Sequence, residues 1–494
     1  MNASFNLVEE RWIPVASGNR CSLVEVFSEK TLRGVGGNPI VKISILKLLW
    51  AICQAAYTPQ DIDDWFQMGT EGLQTAVLEY LKNHRDQFWL YGDHGFLQFP
   101  QFAKAKAQSY GALLPYIATG NTTILFDNQR QQELSDAERA ELLVTMQGFA
   151  FGGKKVDNSI ILTEGYTGKS KSGKAGTSLG FLGFLHSFFE GDSILETCYL
   201  NLLTLEDLSS LRIFPEGLGV PPWEMYPEGE DDEIAKRLKA SYMGRLVPLC
   251  RFLFLDAEAV HYSEGLLHLS YKEGVADLTC GIDSSGKEVK AIWCDPSRRP
   301  WRQLPALLAF LQEEKANTGV SCLQLRFGYQ KIKKGGFSVC SVWSGGVRVS
   351  SNAGEQYLTG SDDFVISEVQ LASSHEVDAL WYSAFVAEME GLDKTGRVLY
   401  GSVIGYFKEQ KADGKKLAER ATALYWSMCE QSFGELVQAC SETNGYTKRQ
   451  NVRKKIAAIV STVFNEFCPS DSARQLSAWA RSQPVLFKYE HMES

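Results

Sequence analysis

The chain has 494 residues, of which 44 % are hydrophobic and 22 % charged. This composition is typical of globular proteins, and at roughly 150 residues per domain the length predicts two to four domains. Fifty Lys and Arg residues against 59 Asp and Glu residues give a net charge of −9, which excludes a protein that coats nucleic acid through overall basic charge. No run approaches the roughly 18 apolar residues of a membrane span, and Met1–Phe5 has no leader-like character, so we expect a cytoplasmic protein without membrane contact.

Helices predominate in the first 150 residues. The segment Phe5–Val15 alternates apolar and polar residues and ends at a proline, which predicts an edge strand. Apolar residues at helical spacing predict helices at 42–57, 61–66, 69–84 and 135–149. The last of these begins with Ser135 and Glu138, the two residues of a capping box, and is expected to stop at Gly152–Gly153.

The remainder of the chain changes character near residue 372. Strand-like segments fill 251–371, interrupted by a predicted helix at 301–314 and by a predicted hairpin tip at 326–336. Beyond them, long amphipathic segments joined by short loops predict a helical bundle. The expected fold class is α+β: an irregular mixed α/β body over 1–372 and a C-terminal antiparallel four-helix bundle over 373–494.

No motif of enzyme chemistry is present in the sequence. It contains no HExxH, no GxSxG and no complete P-loop. The 11 cysteines form no CxxC pair, so we expect buried thiols rather than zinc ligands, and neither a metal nor a cofactor. The carboxylate pairs Asp231–Asp232 and Asp362–Asp363 are interpreted as surface groups, the first within an acidic loop at 226–233. The chain is therefore not predicted to be an enzyme.

Three clusters of basic residues without a neighbouring acid stand out in this acidic chain. One lies in a glycine-rich stretch typical of a linker, 165–180; the second is at the predicted hairpin tip; the third begins a helix of the bundle. Local positive charge on a projecting element suits phosphate binding, although surface lysines are also common on purely solvated faces. The clusters comprise Lys169, Lys171 and Lys174; Arg326, Lys331, Lys333 and Lys334; and Lys448, Arg449, Arg453, Lys454 and Lys455.

The opening of the chain, Phe5–Val15, closely resembles that of the CasA family, the large subunit of type I-E CRISPR Cascade complexes. Similar segments follow at Leu97–Gln98, at 119–129, at Trp301–Leu304 and at 418–426. The resemblance thus covers nearly the whole chain. It implies a non-catalytic subunit that recognises the protospacer-adjacent motif (PAM) in double-stranded DNA, helps to open the duplex for R-loop formation, and recruits the effector nuclease.

The resemblance also implies particular binding residues. Contact with the 5′ handle of the guide RNA and with neighbouring subunits is assigned to Asn121, Phe126, Asp127 and Asn128. A glycine loop against the PAM base pairs matches Gly152, Gly153, Lys154 and Lys155. Lys272 is the nearest candidate for the family's minor-groove lysine.

The family's wedge hairpin matches the segment around 329–338. This chain places Lys331, Lys333, Lys334, Gly335 and Gly336 where the family has amide side chains, which implies contact with phosphate or with the displaced strand. The displaced or target strand is also the implied partner of Lys169, Lys171, Lys174 and the cluster from Lys448 to Lys455.

The implied partners are guide RNA, target double-stranded DNA, the other Cascade subunits, and either a recruited helicase–nuclease or a nuclease within the complex. Two alternatives remain open from the sequence. The chain could be a scaffold subunit that binds only protein, in which case the basic clusters would be dispensable for DNA binding. It could also be an enzyme with an unfamiliar site, whose turnover would survive without guide RNA.

Overall fold

A computed structural model describes residues 4–114, 133–150, 152–153, 156–171, 183–312, 319–337, 340–349, 363–371, 377–441 and 445–486. It is 50 % helical and 13 % strand, which confirms the mixed fold class. Two compact units are distinguished by their internal contacts. Unit 1 comprises Met1–Trp301, Gly319–Gly335 and Ser341–Glu368, and unit 2 comprises Arg302–Thr318, Gly336–Cys340 and Val369–Ser494.

The helices range from single turns to eight-turn rods. In chain order they are α1 Leu23–Ser28, α2 Pro39–Ala56, α3 Ile62–Asn83, α4 Asp136–Phe149, α5 Ile194–Asn201, α6 Leu205–Ser210, α7 Glu233–Lys239, α8 Met243–Leu246, α9 Leu304–Leu307, α10 Leu323–Gly335, α11 Ala379–Glu409, α12 Lys415–Ala439, α13 Tyr446–Phe467 and α14 Ala473–Arg481.

The strands are short and form several small sheets. In chain order they are β1 Ser4–Asn6, β2 Ile13–Pro14, β3 Arg20–Cys21, β4 Trp89–Tyr91, β5 Ala107–Gln108, β6 His186–Glu190, β7 Arg251–Leu255, β8 Val260–Glu264, β9 Ile282–Asp283, β10 Lys290–Ala291, β11 Val320–Ser321, β12 Cys340–Val347 and β13 Phe364–Leu371. The sheet orders are β1-β4, β2-β3, β5-β8-β7, β10-β9-β11 and β13-β12-β6.

Helix α2 is the central core helix of unit 1. Asn38 caps it by accepting hydrogen bonds from the amides of Ile40 and Val41, and Pro39 occupies the first turn, where a missing N–H costs nothing. By length and apolar composition α2 could cross a membrane, but 83 % of it is buried inside the protein. It packs against α3, α4 and α5, as a core helix of a folded domain does.

Two predictions about local structure need correction. The predicted edge strand Phe5–Val15 is two strands, β1 and β2, because the chain turns between them and the Trp12 indole donates to the carbonyl of Leu7. The predicted helix 301–314 is broken into α9 and two 3-10 turns, since Pro300 and Pro305 each suit only a first helical turn. By contrast, the division predicted between helices at 61–66 and 69–84 is confirmed, because α3 is interrupted at Gly69, whose φ of +62° and ψ of 178° are not helical.

Unit 2 contains the predicted C-terminal helices. Helix α11 packs against α12, α13 and α14, and its buried side chains recur every three or four residues, among them Trp381, Phe385, Leu392 and Leu399. The Trp381 and Phe385 rings stack with centroids 5.1 Å apart. Burial of this apolar face accounts for the stability of a bundle whose connecting loops are short.

Candidate nucleic-acid interface

The glycine segment follows helix α4. The capping box predicted from Ser135 and Glu138 is present, and α4 ends at Phe149 with Ala150 in an extended conformation as its C-cap. Gly152 and Gly153 therefore lie beyond the cap and do not terminate the helix, contrary to the expectation. Gly153 has a φ of +82°, a conformation that side chains other than glycine rarely adopt. Lys154 and Lys155 lie outside the described residues.

The last turn of α4 is attached to the core immediately before these glycines. The carbonyl of Gln147 accepts a hydrogen bond from the amide of Cys250, the residue before β7. Phe149 packs beside His186 of β6, with ring centroids 5.4 Å apart. The glycine segment thus leaves a helix end that is held on two sides, which fixes where its backbone starts.

The predicted wedge hairpin is a helix. Residues 323–335 form α10, which packs on β6, α3 and α5. Its buried residues Leu325, Gly328 and Ile332 lie three and four positions apart, a helical period that the lysine- and glycine-rich end of the segment obscured. Gly328 is needed for this packing, because a Cβ there would lie 2.6 Å from the Phe189 ring.

The lysines of α10 have different environments. Lys331 is buried, and its ammonium lies 2.9 Å from the Asp207 carboxylate, while burial lowers its pKa. Lys334 pairs with Asp63 at 2.5 Å and lies over the Phe66 ring. Lys333 is exposed and shares the outer face with Arg326. The implied DNA contact by Lys331 stays a prediction that this structure does not support, since the lysine is buried and its charge is paired inside unit 1.

Helix α10 ends where the glycines begin. Gly335 is its last residue, and Gly336 follows with a φ of +65°. This left-handed conformation is the usual way a helix stops at glycine. These two residues terminate a helix rather than form a hairpin tip.

The cluster in the predicted linker is only partly exposed. Lys169 is buried, 2.6 Å from the Glu230 carboxylate, and donates to the Ile160 carbonyl and the Ser263 hydroxyl. Glu230 is itself 0 % exposed, so the acidic loop is not wholly a solvated surface as expected. Lys171 is exposed, and Lys174 lies outside the described residues. Lys169 thus anchors its segment to the core and is not available to a DNA strand.

The carboxylate pairs take local structural roles. Asp232 caps α7 by accepting from the amide of Ala235, and Asp231 pairs with Lys239 at 2.7 Å. Asp363 is buried and holds Arg348, whereas Asp362 is outside the described residues. The prediction that these carboxylates are surface groups is therefore wrong for Asp363.

The C-terminal cluster divides into a buried and an exposed set. Arg449 and Arg453 are buried in unit 2, where both face the Glu388 carboxylate of α11; the Arg453 Nε lies 3.1 Å and the Arg449 Nε 3.6 Å from its oxygens. Lys455 is exposed and pairs with Glu435 of α12. No acid neighbours the cluster in the sequence, but helix packing brings Glu388 and Glu435 to it from distant positions in the chain.

Three lysines of this cluster are exposed. Lys448 and Lys454 lie on α13 together with Lys455, which pairs with Glu435. The exposed basic set within the described residues is smaller than the sequence implied: Lys171, Arg326, Lys333, Lys334, Lys448, Lys454 and Lys455. Lys272, in a 3-10 turn capped by Ser270, is also exposed. The guide-RNA residues Asn121, Phe126, Asp127 and Asn128 lie outside the described residues.

One group of potential metal ligands occurs within the described ranges. His186, Asp277 and Cys280 place their ligand atoms within 4.8 Å of one another. The Asp277 carboxylate is already paired with the buried ammonium of Lys47, and a fixed positive charge at that distance repels a metal cation. Ten cysteines whose side chains the structure describes are buried thiols outside any disulfide. Burial raises the pKa of Cys280, which disfavours the thiolate that binds metal.

Acid should destabilise the protein through His186. Burial, with Lys47 adding to it, lowers the pKa of His186 to about 3. Below about pH 6.5 this histidine is protonated in the unfolded chain but not in the folded chain. The free energy of unfolding therefore decreases as the pH is lowered, by up to about 1.4 kcal/mol per pH unit. The slope of the free energy of unfolding against pH should be shallower in His186→Gln than in wild type, as measured by urea unfolding between about pH 7 and pH 5. His94→Gln, at an exposed histidine, is the control, and a His186→Gln slope equal to wild type contradicts the argument.

A family model described as CRISPR-associated protein Cse1 matches residues 6–463. The chain belongs to the Cse1 family. CasA/Cse1 of Thermus thermophilus is 30 % identical over 333 residues, which cover 62 % of this chain and 60 % of that relative. The chain thus matches less than two thirds of that curated relative's length. The resemblance noted at Phe5–Val15 is confirmed.

Solved structures show that the Cse1-family fold extends over the whole chain. The crystal structure of Thermobifida fusca Cse1 matches with a TM-score of 0.77 at 22 % identity, covering 100 % of this chain and 99 % of that one. A chain of a CRISPR RNA-guided surveillance complex matches with a TM-score of 0.72 at 14 % identity, covering 98 % and 100 %. At these identities the likeness establishes the fold.

Proposed function

We propose that this Cse1-family chain is a non-catalytic large subunit of a type I CRISPR RNA-guided surveillance complex. It recognises the PAM in double-stranded DNA, helps to open the duplex and recruits the effector nuclease. The observation that carries this proposal is the position of Gly152–Gly153 directly beyond the anchored end of α4 in a Cse1-family fold. Both glycines are buried in the isolated chain, so the proposal requires that this segment becomes accessible in the assembled complex, where a backbone without side chains suits close approach to a DNA groove.

The proposed partners follow from the same assignment: guide RNA through the segment containing Asn121 and 126–128, the other Cascade subunits, target DNA and a nuclease, all in the cytoplasm. We place the PAM-reading body in 1–372 and the helical bundle in 373–494. The bundle contributes to strand capture through Lys448 and Lys454, which are two of its exposed members of the basic cluster.

Isolated and assembled chains should differ strongly in DNA binding. The net charge of −9 opposes non-specific attraction, so the few exposed lysines act only when other subunits present the duplex. We expect weak, salt-sensitive binding of a matched target duplex by the isolated chain, and tight binding by the reconstituted complex, in fluorescence anisotropy titrations. Tight, salt-insensitive binding by the isolated chain would contradict the proposal.

The scaffold alternative gains some support from the structure, because Lys169, Lys331, Arg449 and Arg453 are all buried. It predicts that the remaining exposed lysines are dispensable for DNA binding. Charge reversal at these lysines therefore distinguishes the two functions.

The double variant Lys448→Glu/Lys454→Glu should weaken target binding equally at every PAM. Loss of two phosphate contacts should reduce the slope of log affinity against log salt by about 1 to 2. Lys394→Glu, at an exposed lysine of α11, is the matched control. An affinity and salt slope equal to the control would favour the scaffold function for this face.

A further inference from the structure

A small cavity lies beneath the last turn of α4, and buried polar side chains contribute to its largely apolar lining. Its volume is about 20 Å³, which is enough for one water molecule. Its lining includes Gln147 of α4, His186 of β6 and Arg245 of α8, and each of these side chains is at most 2 % exposed. In each, one buried polar atom has no hydrogen-bond partner among the described residues: Gln147 Oε1, His186 Nε2 and Arg245 Nε.

The hydrogen-bond chain behind His186 determines which of its nitrogens carries the proton. The Thr279 hydroxyl donates its one hydrogen to Asp277 Oδ1 at 2.7 Å. The same hydroxyl oxygen lies 2.7 Å from His186 Nδ1, so Nδ1 must be the donor in that contact. Because burial lowers the pKa of His186 to about 3, the ring is neutral, and Nε2 is a bare acceptor.

The neighbours of the other two atoms also determine whether each is a hydrogen-bond donor or acceptor. Gln147 Nε2 donates to the Leu143 carbonyl at 3.3 Å, which leaves Oε1 as an acceptor. Arg245 uses a terminal nitrogen on the Leu269 carbonyl at 2.6 Å, and its Nε–H remains a donor. The three unpartnered atoms therefore comprise one donor and two acceptors.

We propose that this cavity is a binding site for one ordered water, which accepts from Arg245 Nε–H and donates to Gln147 Oε1 and His186 Nε2. One lone pair and two hydrogens of water match this set. Lys47 and Asp277 also line the cavity and are paired with each other. The remaining charge, that of Arg245, disfavours a cation, and the two acceptors disfavour an anion. The bound water joins α4 to β6 and α8.

The water site gives Gln147 and His186 a positioning role. Gln147 lies in the final turn of α4, five residues before Gly152. A link from that turn to two other elements limits its movement and so holds the start of the glycine segment. This positioning role, unlike the water itself, rests on the proposed function in PAM recognition.

The water and the histidine tautomer are tested on the intact chain. A crystal structure that shows ordered solvent should place one water within hydrogen-bond distance of the three atoms. Long-range ¹⁵N–¹H spectra of histidine-labelled protein, assigned with His186→Gln, should show His186 protonated at Nδ1 and not at Nε2. A dry cavity, another occupant, or protonated Nε2 would overturn the site.

The positioning role is tested with Gln147→Met, which removes the acceptor with little change of volume. In the reconstituted complex, the ratio of affinities for PAM and non-PAM duplexes should fall about fivefold, the equivalent of one net hydrogen bond, while assembly is retained. The control is Gln324→Met. Gln324 lies in α10, is 1 % exposed and donates to Asn201. The two variants are compared under conditions in which they have lost the same thermal stability. Equal ratios in both variants would overturn the role. A wild-type complex without PAM discrimination would overturn the proposed function and this role, while the water and tautomer results would stand.

Discussion

Replacing Glu388 with glutamine should destabilise the C-terminal helices by about 3–5 kcal/mol. The carboxylate is 1 % exposed and faces two buried arginines, Arg449 and Arg453. Glutamine leaves both cations buried without their counter-charge, which is the costliest way to break a buried ion pair. Hydrogen exchange of amides in α11 and α13 measures the effect within unit 2 alone.

Two further variants define the cause. Lys455→Ala breaks the exposed pair with Glu435 and should cost no more than about 1 kcal/mol. The triple variant Glu388→Met/Arg449→Leu/Arg453→Leu removes all three charges and should recover most of the stability. If that variant lost target-strand binding while remaining folded, the two arginines would be DNA contacts and our structural assignment would fail.

Replacing Gly153 with valine should reduce PAM-dependent duplex binding about tenfold or more, equivalent to at least about 1.4 kcal/mol. Two effects act together: the φ of +82° resists any side chain, and a side chain keeps the backbone away from the groove. Gly152→Val should act through the second effect. The measurement compares affinities of the reconstituted complex for duplexes with and without a PAM.

Gly18→Val is the matched control for backbone strain. Gly18 has a φ of +88°, and a Cβ there would meet nothing within 4 Å. The control should lower thermal stability to a similar extent and leave PAM discrimination unchanged. If complexes with Gly153→Val and with Gly18→Val discriminated equally well between duplexes with and without a PAM, the glycine segment would have only a conformational role.

Local sequence patterns predicted the helices well. The apolar period of α2, the capping box of α4 and the long amphipathic segments of the bundle each depend on residues within a few positions of one another. Helix α10 was missed although Leu325, Gly328 and Ile332 have helical spacing, because the Lys and Gly residues at its end also suit a turn.

The environments of the basic residues could not be predicted in this way. Lys331 pairs with Asp207, which lies 124 positions away in the chain, and Arg453 with Glu388, 65 positions away. Composition around a lysine says nothing about which acid the fold brings to it, so clusters without a local acid appeared solvated. The same holds for Gln147, His186 and Arg245, whose shared cavity depends on the packing of three separate elements.

Selection of bound duplexes from a library with a randomised PAM tests the central claim most directly. The library carries one matched target sequence, and complexes reconstituted with and without this chain are compared. We predict that the complete complex enriches a narrow set of PAM sequences and that the complex lacking the chain enriches none. Equal PAM enrichment by both complexes would contradict the account.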